Sequence, residues 1–410
     1  MVATTALERD DPAVADLIGR ERARQQATLS MIAAESTTSA SVLDALGSVF
    51  DDKTAEGYPG HRYHRGSGVA DELETLTIER AKTLFGADHA NVQVHSGVNA
   101  NVAVYRVLLE PGDPVLAMSL SHGGHLSHGA SASLTGQVYD FSHYGVRADT
   151  ERIDYDEVRS LALAHRPKLI VAGGSSYPRL IEYGRLRAIA DEVGARLLVD
   201  MAHIAGLVAA GVIPSPVPHA DLVTMTTYKT LLGPHGGLVL CRAEHGRALD
   251  RAVFPGTQGA PSLSQVAAKA VCLHRATTDW FRAIQQTTVA HAALLAASLG
   301  GLGYRMVSGG TDNHMALVDL RSRGLTGDVA EVALEEVGII TNRNAIPFDP
   351  TPVSVTSGLR LGAAGLALRE MGRGEVVEIA GLIDAALTTD GAARARERVL
   401  ELCRSFPLPD

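Results

Sequence analysis

The chain has few cysteines, and their placement excludes two classes of small stabilised domain. The three cysteines, Cys241, Cys272 and Cys403, are odd in number and far apart in the sequence. They have neither the pairing of a disulfide framework nor the short spacing of a zinc or redox motif. The sequence therefore predicts a protein of a reducing compartment, and we expect the cytoplasm.

Basic clusters and long apolar runs are also missing. The formal net charge is -9, and the 37 lysines and arginines are spread along the chain, which argues against a nucleic-acid-binding surface. No segment approaches the roughly 20 uninterrupted apolar residues of a membrane span. Charges near the N-terminus interrupt the apolar core that a signal peptide needs. We expect a soluble, unexported protein without nucleic-acid or membrane partners.

The chain does have length and apolar content. With 410 residues, 46% of them hydrophobic, it can bury a large core, and its length suggests two or three domains. Strand candidates alternate with helix candidates up to about residue 280, which predicts a mainly parallel sheet covered by helices. We predict a helical arm at 1–30, this α/β domain at 31–280, and a smaller α+β domain at 281–410 that ends in two helices.

Two polar residues follow apolar strand candidates, at the end of the strands where ligands bind in α/β sheets. Asp200 follows the run Ala195–Val199, and Lys229 follows the run Asp221–Met225. A lysine amine can form a Schiff base, and a carboxylate can keep a pyridine nitrogen protonated so that the ring accepts electrons. The pair predicts a pyridoxal 5'-phosphate enzyme, although each residue alone is more typical of a solvated surface, a turn or a helix cap.

Two further segments are candidates for ligand binding. Asn91–Asn101 is typical of a strand, a tight turn and a helix start, with Ser96 and Gly97 where a phosphate would meet free backbone N–H groups. The same turn is also typical of a simple helix cap. His122–His128 carries three histidines, which fits either a zinc cluster or one imidazole stacked on a planar cofactor, with loop roles for the other two. Because no matching cysteine or carboxylate pair lies nearby, we expect no metal.

Seven motifs together resemble the serine hydroxymethyltransferase family over nearly the whole chain. In chain order they are Ala55–Gly60, Tyr63, Gly123–Leu126, Val199–Gly211, Thr226–Thr230, Phe254–Gly256 and Thr356–Arg360. The resemblance implies a fold-type I pyridoxal-phosphate enzyme, with a mainly parallel seven-stranded sheet covered by helices and a smaller C-terminal α+β domain. It also implies a homodimer with shared active sites, and leaves a tetramer open.

The resemblance assigns cofactor contacts to residues of the large domain. Lys229 would form the Schiff base, Asp200 would pair with the pyridinium nitrogen, and His125 would stack on the ring. His203 and Ser175 would lie near the phenolic oxygen. The remaining expected contacts are Ser96, Gly97 and Thr226, together with Gly256 and Gly259 from the Phe254–Ala260 loop of a second subunit.

The resemblance also assigns substrate contacts. Arg360 would bind the substrate carboxylate, because a planar and permanently charged fork suits that group. Glu56 would transfer a proton near the substrate hydroxyl. The other expected substrate contacts are Tyr63, His64, Thr54 and Phe348.

These assignments imply chemistry at the Cα–Cβ bond of a β-hydroxy amino acid of the serine/glycine or 2-methylserine type. Breaking the bond would release an aldehyde and leave a quinonoid carbanion, which could add to an aldehyde in reverse. We expect a transferase of amino-acid and one-carbon metabolism, with tetrahydrofolate left open as the one-carbon carrier. The alternatives are a folate-independent threonine-type aldolase or transaldolase with another acceptor aldehyde, and a non-catalytic protein on this fold.

Several residues depart from the family pattern. Thr54 and His64 stand where the family has tyrosines, and Phe348 stands where it has an asparagine that contacts the folate pterin. Tyr228 replaces a histidine before the Schiff-base lysine, and Val98 replaces a serine of the phosphate turn. A pterin edge left unpaired against a phenyl ring would cost roughly 1–3 kcal/mol. The departures favour a specialised member that uses an unusual acceptor or a Cα-substituted amino acid.

Overall fold

The computed structural model describes residues 6–388 and 391–409, so residues 1–5 of the predicted arm lie outside the described residues. The helices of the described chain are α1 Ala6–Asp10, α2 Pro12–Ala27, α3 Ala40–Leu46, α4 Gly68–Phe85, α5 Gly97–Leu108, α6 Leu134–Val138, α7 Tyr155–His165, α8 Tyr183–Val193, α9 Ala205–Ala209, α10 Ala243–Val253, α11 Leu263–Arg275, α12 Asp279–Gly301, α13 Gly327–Glu336, α14 Ala364–Leu368, α15 Arg373–Leu387 and α16 Ala392–Ser405. Its strands are β1 Leu29–Ser30, β2 Gly57–Tyr58, β3 His61–Arg62, β4 His89–Asn91, β5 Pro114–Met118, β6 Asp140–Tyr144, β7 Leu169–Ala172, β8 Arg196–Asp200, β9 Leu222–Thr226, β10 Gly237–Cys241, β11 Arg305–Met306, β12 Met315–Asp319, β13 Ile339–Ile340, β14 Asn342–Asn344 and β15 Gly358–Gly362.

The main sheet of the described chain has seven strands in the order β4-β10-β9-β8-β7-β5-β6. From β6 to β9 all neighbours run parallel, and β10 pairs antiparallel with β9 and β4. Both faces are buried: Leu169 and Val171 enter one apolar core, whereas Ile170 and Ala172 enter the other. A continuous apolar strand is the expected sequence pattern for such a two-sided position. The prediction of a mainly parallel sheet covered by helices is confirmed.

A second, antiparallel sheet with the order β11-β12-β15-β14 forms in the C-terminal part of the described chain. It has its own apolar core, to which the long helix α12 contributes Leu295 and Leu299. The N-terminal segment joins this part, because β1 pairs in parallel with β13. Three helices follow β15 instead of the two predicted, since the short α14 precedes α15 and α16. The domain boundaries stay predictions.

The parallel register brings the carboxyl ends of β7, β8 and β9 to one edge of the main sheet. The predicted strand at Asn91 is shorter than expected, because β4 ends at this residue. Beyond it, the carbonyls of Val92 and Val94 accept hydrogen bonds from the buried Nζ of Lys269 at 2.7 and 2.9 Å, and the carbonyl of Val94 also accepts from the N–H of Gly237 in β10 at 3.3 Å.

Among the described residues, no helix combines the length and the apolar character needed to cross a bilayer.

Candidate active site

A cavity opens at the carboxyl ends of β8 and β9, where the topology of an α/β sheet places ligands. Half of the predicted site residues line it. They are Ser96, Gly97, His125, Ser175, Asp200, His203, Thr226 and Lys229. We call this space the Lys229 cavity. The structure therefore brings together residues that are up to 133 positions apart in the sequence, while the roles assigned to them stay predictions.

Asp200, at the end of β8, is surrounded by hydrogen-bond donors. Its Oδ1 accepts from the backbone N–H of Ala202 at 2.9 Å, and its Oδ2 accepts from Nδ2 of Asn101 at 2.9 Å and from Nε2 of His128 at 3.2 Å. The buried hydroxyl of Tyr105 lies 2.7 Å from Nδ1 of His128 and orients that ring. Burial by itself would raise the pKa of Asp200, but the surrounding groups, first of all the hydrogen bond from His128 and also that from Asn101, together lower that pKa. The carboxylate is thus held as an anion.

Lys229 follows β9 in a tight turn and is only 6% exposed. Its Nζ makes no hydrogen bond within the described residues and lies 5.9 Å from the ring centroid of Tyr228. Burial lowers the pKa of Lys229 to about 8; the Asp200 carboxylate opposes this shift and the Arg360 guanidinium adds to it. A lowered pKa increases the neutral, nucleophilic fraction of the amine near neutral pH.

The N-terminus of α5 closes one end of the Lys229 cavity. Ser96 caps this helix, because its Oγ accepts from the N–H of Asn99 at 3.2 Å and donates to Oδ1 of Asn99 at 2.7 Å. Gly97 is required at the first turn, since a Cβ there would lie 2.7 Å from Cγ2 of Thr226. The free N–H groups and positive dipole of this 12-residue helix are suited to a phosphate.

Arg360, on β15 of the second sheet, contacts a residue that lines the Lys229 cavity. Its Nη1 donates to the carbonyl of Ser175 at 2.6 Å, and its Nε donates to Oδ1 of Asn342 at 3.1 Å. No carboxylate pairs with this guanidinium among the described residues, and its Nη2 has no partner there. Burial lowers the pKa of Arg360 to about 10. A largely buried cation without a counter-ion is an incomplete arrangement that an anionic ligand would complete.

The predicted histidine cluster is divided by the fold. His125 and His128 lie beside Asp200, with donor atoms of all three within 4.8 Å of one another. These atoms already take part in hydrogen bonds, since Nδ1 of His125 lies 2.7 Å from Oγ of Ser127 and His128 donates to Asp200. Burial lowers the pKa of His125 to about 4. His128 lies in a turn between elements, as the loop role left open for it allows, and it contacts the carboxylate of Asp200. The expected absence of a metal stays a prediction.

Besides Arg360, which contacts the lining residue Ser175, seven predicted residues do not line the Lys229 cavity of their own chain. They are Thr54, Glu56, Tyr63, His64, Gly256, Gly259 and Phe348. All but Phe348 belong to one region formed by residues 54–64 and 254–260, which we call the outer cluster. Its two segments touch where the rings of Tyr63 and Phe254 pack edge to face with centroids 5.7 Å apart. Tyr63 is 75% exposed, so this surface is open in a single chain.

Two departures from the family pattern are paired with other side chains. Phe348 is 50% exposed, has a left-handed φ of 57°, and packs with its ring centroid 4.8 Å from that of His122. His122 is anchored because its Nδ1 accepts from the N–H of Val146 at 3.1 Å. Tyr228 stacks on His235, with centroids 3.9 Å apart and an interplanar angle of 14°. The Phe348–His122 pair joins residues of distant segments, whereas Tyr228 and His235 lie in the same connection between β9 and β10.

Comparison with known families agrees with this arrangement. A family model described as serine hydroxymethyltransferase matches residues 7–383 of the 410. Enzymes of this family depend on pyridoxal 5'-phosphate and typically use tetrahydrofolate. The match covers the main sheet, the Lys229 cavity and the second sheet with Arg360. The chain therefore belongs to the serine hydroxymethyltransferase family of fold-type I pyridoxal-phosphate enzymes.

Proposed function

We propose that the protein makes or breaks the Cα–Cβ bond of a β-hydroxy amino acid, of the serine/glycine or 2-methylserine type, as a cytoplasmic homodimer. The observation that carries this proposal is Arg360, a largely buried guanidinium beside the Lys229 cavity that has no carboxylate partner within residues 6–388 and 391–409. A substrate carboxylate held there would place its Cα toward the amine of Lys229. The family match supports the general reaction class, and Arg360 supports an α-amino acid as substrate.

The residues present fit pyridoxal 5'-phosphate. Lys229 would supply the amine, the anionic Asp200 would face the pyridinium nitrogen, and the α5 N-terminus with Ser96 and Gly97 would hold the phosphate. The glycine supports this assignment, since a Cβ at this position would collide with Thr226. When bound, the cofactor supplies an acceptor for the electron pair of the bond that breaks at Cα.

The protein groups would position the substrate and move its protons. Arg360 would bind the carboxylate through its free Nη2 and orient the bond that breaks. His125 would cover one face of the cofactor ring, and His203 would donate to its phenolic oxygen together with Ser175. Glu56 would hold or release the proton of the substrate hydroxyl. These roles are assigned by the family resemblance, and those of His125, His203 and Ser175 are supported by their place in the lining of the cavity.

A second candidate function is a folate-independent aldolase or transaldolase. The half-exposed phenyl ring of Phe348, packed on His122, supports it because a phenyl ring cannot hydrogen-bond the polar edge of a pterin. An apolar or aromatic acceptor aldehyde would suit the ring better. Both candidates use the same cavity and differ only in the acceptor.

The outer cluster would serve the cavity of a second subunit. Its exposed position in a single chain supports this, since Glu56 does not line the Lys229 cavity of its own chain. Mixing Lys229→Ala and Glu56→Gln chains tests the idea. If the subunits share sites, a random mixture would regain about a quarter of the wild-type activity, because half of the dimers would hold one intact site. No recovery after verified subunit exchange would place Glu56 in its own chain's site.

The acceptor is tested by the visible spectrum of the protein loaded with pyridoxal phosphate. We would add glycine and then tetrahydrofolate, and follow the long-wavelength absorption band. A strong increase on addition of folate would support the hydroxymethyltransferase reaction. A band from glycine alone that folate leaves unchanged would support the aldolase, and an unchanged spectrum with every amino acid would contradict both.

A further inference from the structure

His314 is a buried imidazole next to the Lys229 cavity that neither the sequence motifs nor the proposed mechanism uses. It immediately precedes β12 and is 0% exposed. Its Nε2 lies 3.2 Å from the carbonyl oxygen of Ala33 and 3.5 Å from Nδ1 of His203. Its Nδ1 is buried without a hydrogen-bond partner among the described residues. The residue thus connects the N-terminal segment, the second sheet and the wall of the cavity.

The contacts of His314 determine the tautomers of both rings. A carbonyl oxygen only accepts, so Nε2 of His314 carries the hydrogen that it shares with Ala33. That N–H also faces Nδ1 of His203, which therefore has to be the unprotonated nitrogen of its own ring. The remaining nitrogen of His203, Nε2, then carries a hydrogen. It makes no hydrogen bond within the described residues, and the side chain lines the Lys229 cavity.

The surroundings keep both imidazoles neutral, which the tautomer argument requires. Burial lowers the pKa of His314 to about 3, although its hydrogen bond to Ala33 opposes this shift. Burial also lowers the pKa of His203, and the cations of Lys229 and Arg360 lower it further. A doubly protonated His203 would place an N–H against the N–H of His314. The cluster is therefore stable only with one hydrogen on each ring.

We propose that His314 is a positioning residue that fixes the tautomer and orientation of His203, so that Nε2–H of His203 donates into the cofactor cavity. This inference rests on the proposed function, because it assumes that a bound cofactor presents an acceptor oxygen to His203. His314, which lies 111 positions from His203 in the sequence, would then decide which nitrogen of His203 carries the hydrogen. A neutral ring without His314 would divide between both tautomers.

A matched pair of amide substitutions tests the proposal in the protein loaded with pyridoxal phosphate. The amide nitrogen of His314→Gln reaches the place of Nε2 and can still donate to Ala33, whereas the shorter side chain of His314→Asn cannot. We expect His314→Gln to keep the wild-type visible spectrum. We expect His314→Asn to shift the absorption maximum and to release the cofactor roughly five- to tenfold faster. Equal spectra and release rates for the two variants would overturn the proposal.

A double-mutant cycle separates positioning from a purely structural role. In a His203→Ala background, His314→Asn should change neither the spectrum nor the release rate further, because the ring through which it acts is gone. Additive effects of the two substitutions would overturn the proposal. Thermal melting of each variant checks that the fold is intact. Failure of the wild-type protein to bind pyridoxal phosphate would contradict the proposed function itself. That outcome is measured before any variant is compared, so it is distinct from a failure of the His314 proposal.

Discussion

The Lys229 cavity and the outer cluster differ in how completely a single chain builds them. In the cavity, the polar groups are buried and interlocked: Asp200 accepts three hydrogen bonds, and His203 is backed by His314. In the outer cluster, Tyr63 is largely exposed, and Phe348 beyond it is half-exposed. Buried polar groups require fixed partners, whereas exposed side chains can be completed by a ligand or a second subunit.

This difference places the groups for the reaction at Cα in the cavity and the groups that would select the acceptor on the open side. Most of the groups that would hold the cofactor and the amino-acid carboxylate agree with the family pattern, although the departures Val98 and Tyr228 also line the Lys229 cavity. The departures Thr54, His64 and Phe348 lie on the open side. Residues that only contact an acceptor can change without leaving a buried charge unpaired, so this side can vary while the cavity stays intact. Four experiments test this division.

The largest effect is expected from removal of the cavity amine. Lys229→Ala should lower turnover by roughly 10³-fold or more, because no other described side chain offers an amine in the cavity. The absorption spectrum with pyridoxal phosphate should also lose the band of the lysine-bound cofactor. Lys82→Ala, on the surface of α4, is the matched control and should behave like the wild type. Normal turnover of Lys229→Ala would contradict the proposed role of the cavity.

The next effect concerns the carboxylate site. Arg360→Lys keeps the charge but loses the planar fork, so kcat/KM for the amino acid should fall roughly 10- to 100-fold, mainly through KM. Steady-state kinetics with serine and with 2-methylserine would measure it. Arg343→Lys, on the neighbouring β14, is the control. A similar loss in both variants would argue against carboxylate binding by Arg360.

A smaller effect is expected on the open side. Phe348→Asn restores an amide donor and acceptor and should increase the response to tetrahydrofolate by roughly 5- to 100-fold. The glycine-induced spectrum without folate should stay unchanged, because the cavity is not altered. Phe348→Leu controls for loss of the ring alone. An equal folate response in both variants would show that polarity at this position does not select the acceptor.

The smallest effect is a loss of stability in acid. The unfolded chain protonates its histidines near pH 6.5, whereas burial holds the pKa of His125 at about 4 and that of His314 at about 3. Their contribution is fully present above about pH 6.5 and declines as the pH falls toward these lower values. The free energy of unfolding should therefore fall between about pH 7 and pH 4 from this source. Denaturant unfolding at several pH values should show a shallower decline of the free energy of unfolding for His314→Gln than for the wild type. For the exposed His61→Gln, the decline should equal that of the wild type.

The sequence predicted the elements that depend on local pattern. Apolar runs such as Leu169–Ala172 form strands as expected, because two-sided burial demands continuous apolar residues. Lys229 and Asp200 were predicted from their positions after two strands, and both line the cavity. The strand at Asn91 was predicted too long, since β4 ends at Asn91 and the carbonyls of Val92 and Val94 beyond it contact the buried amine of Lys269.

By itself, then, the sequence determined the α/β class, the family and the chemical types that face the cofactor, because periodicity and short motifs are local properties. Only the tertiary structure decided which distant side chains contact and orient the cavity residues. Tyr105 reaches Asp200 through His128, Arg360 reaches Ser175 from the second sheet, and His314 contacts His203. These contacts join residues whose proximity depends on sheet order and domain packing, and no local pattern encodes it.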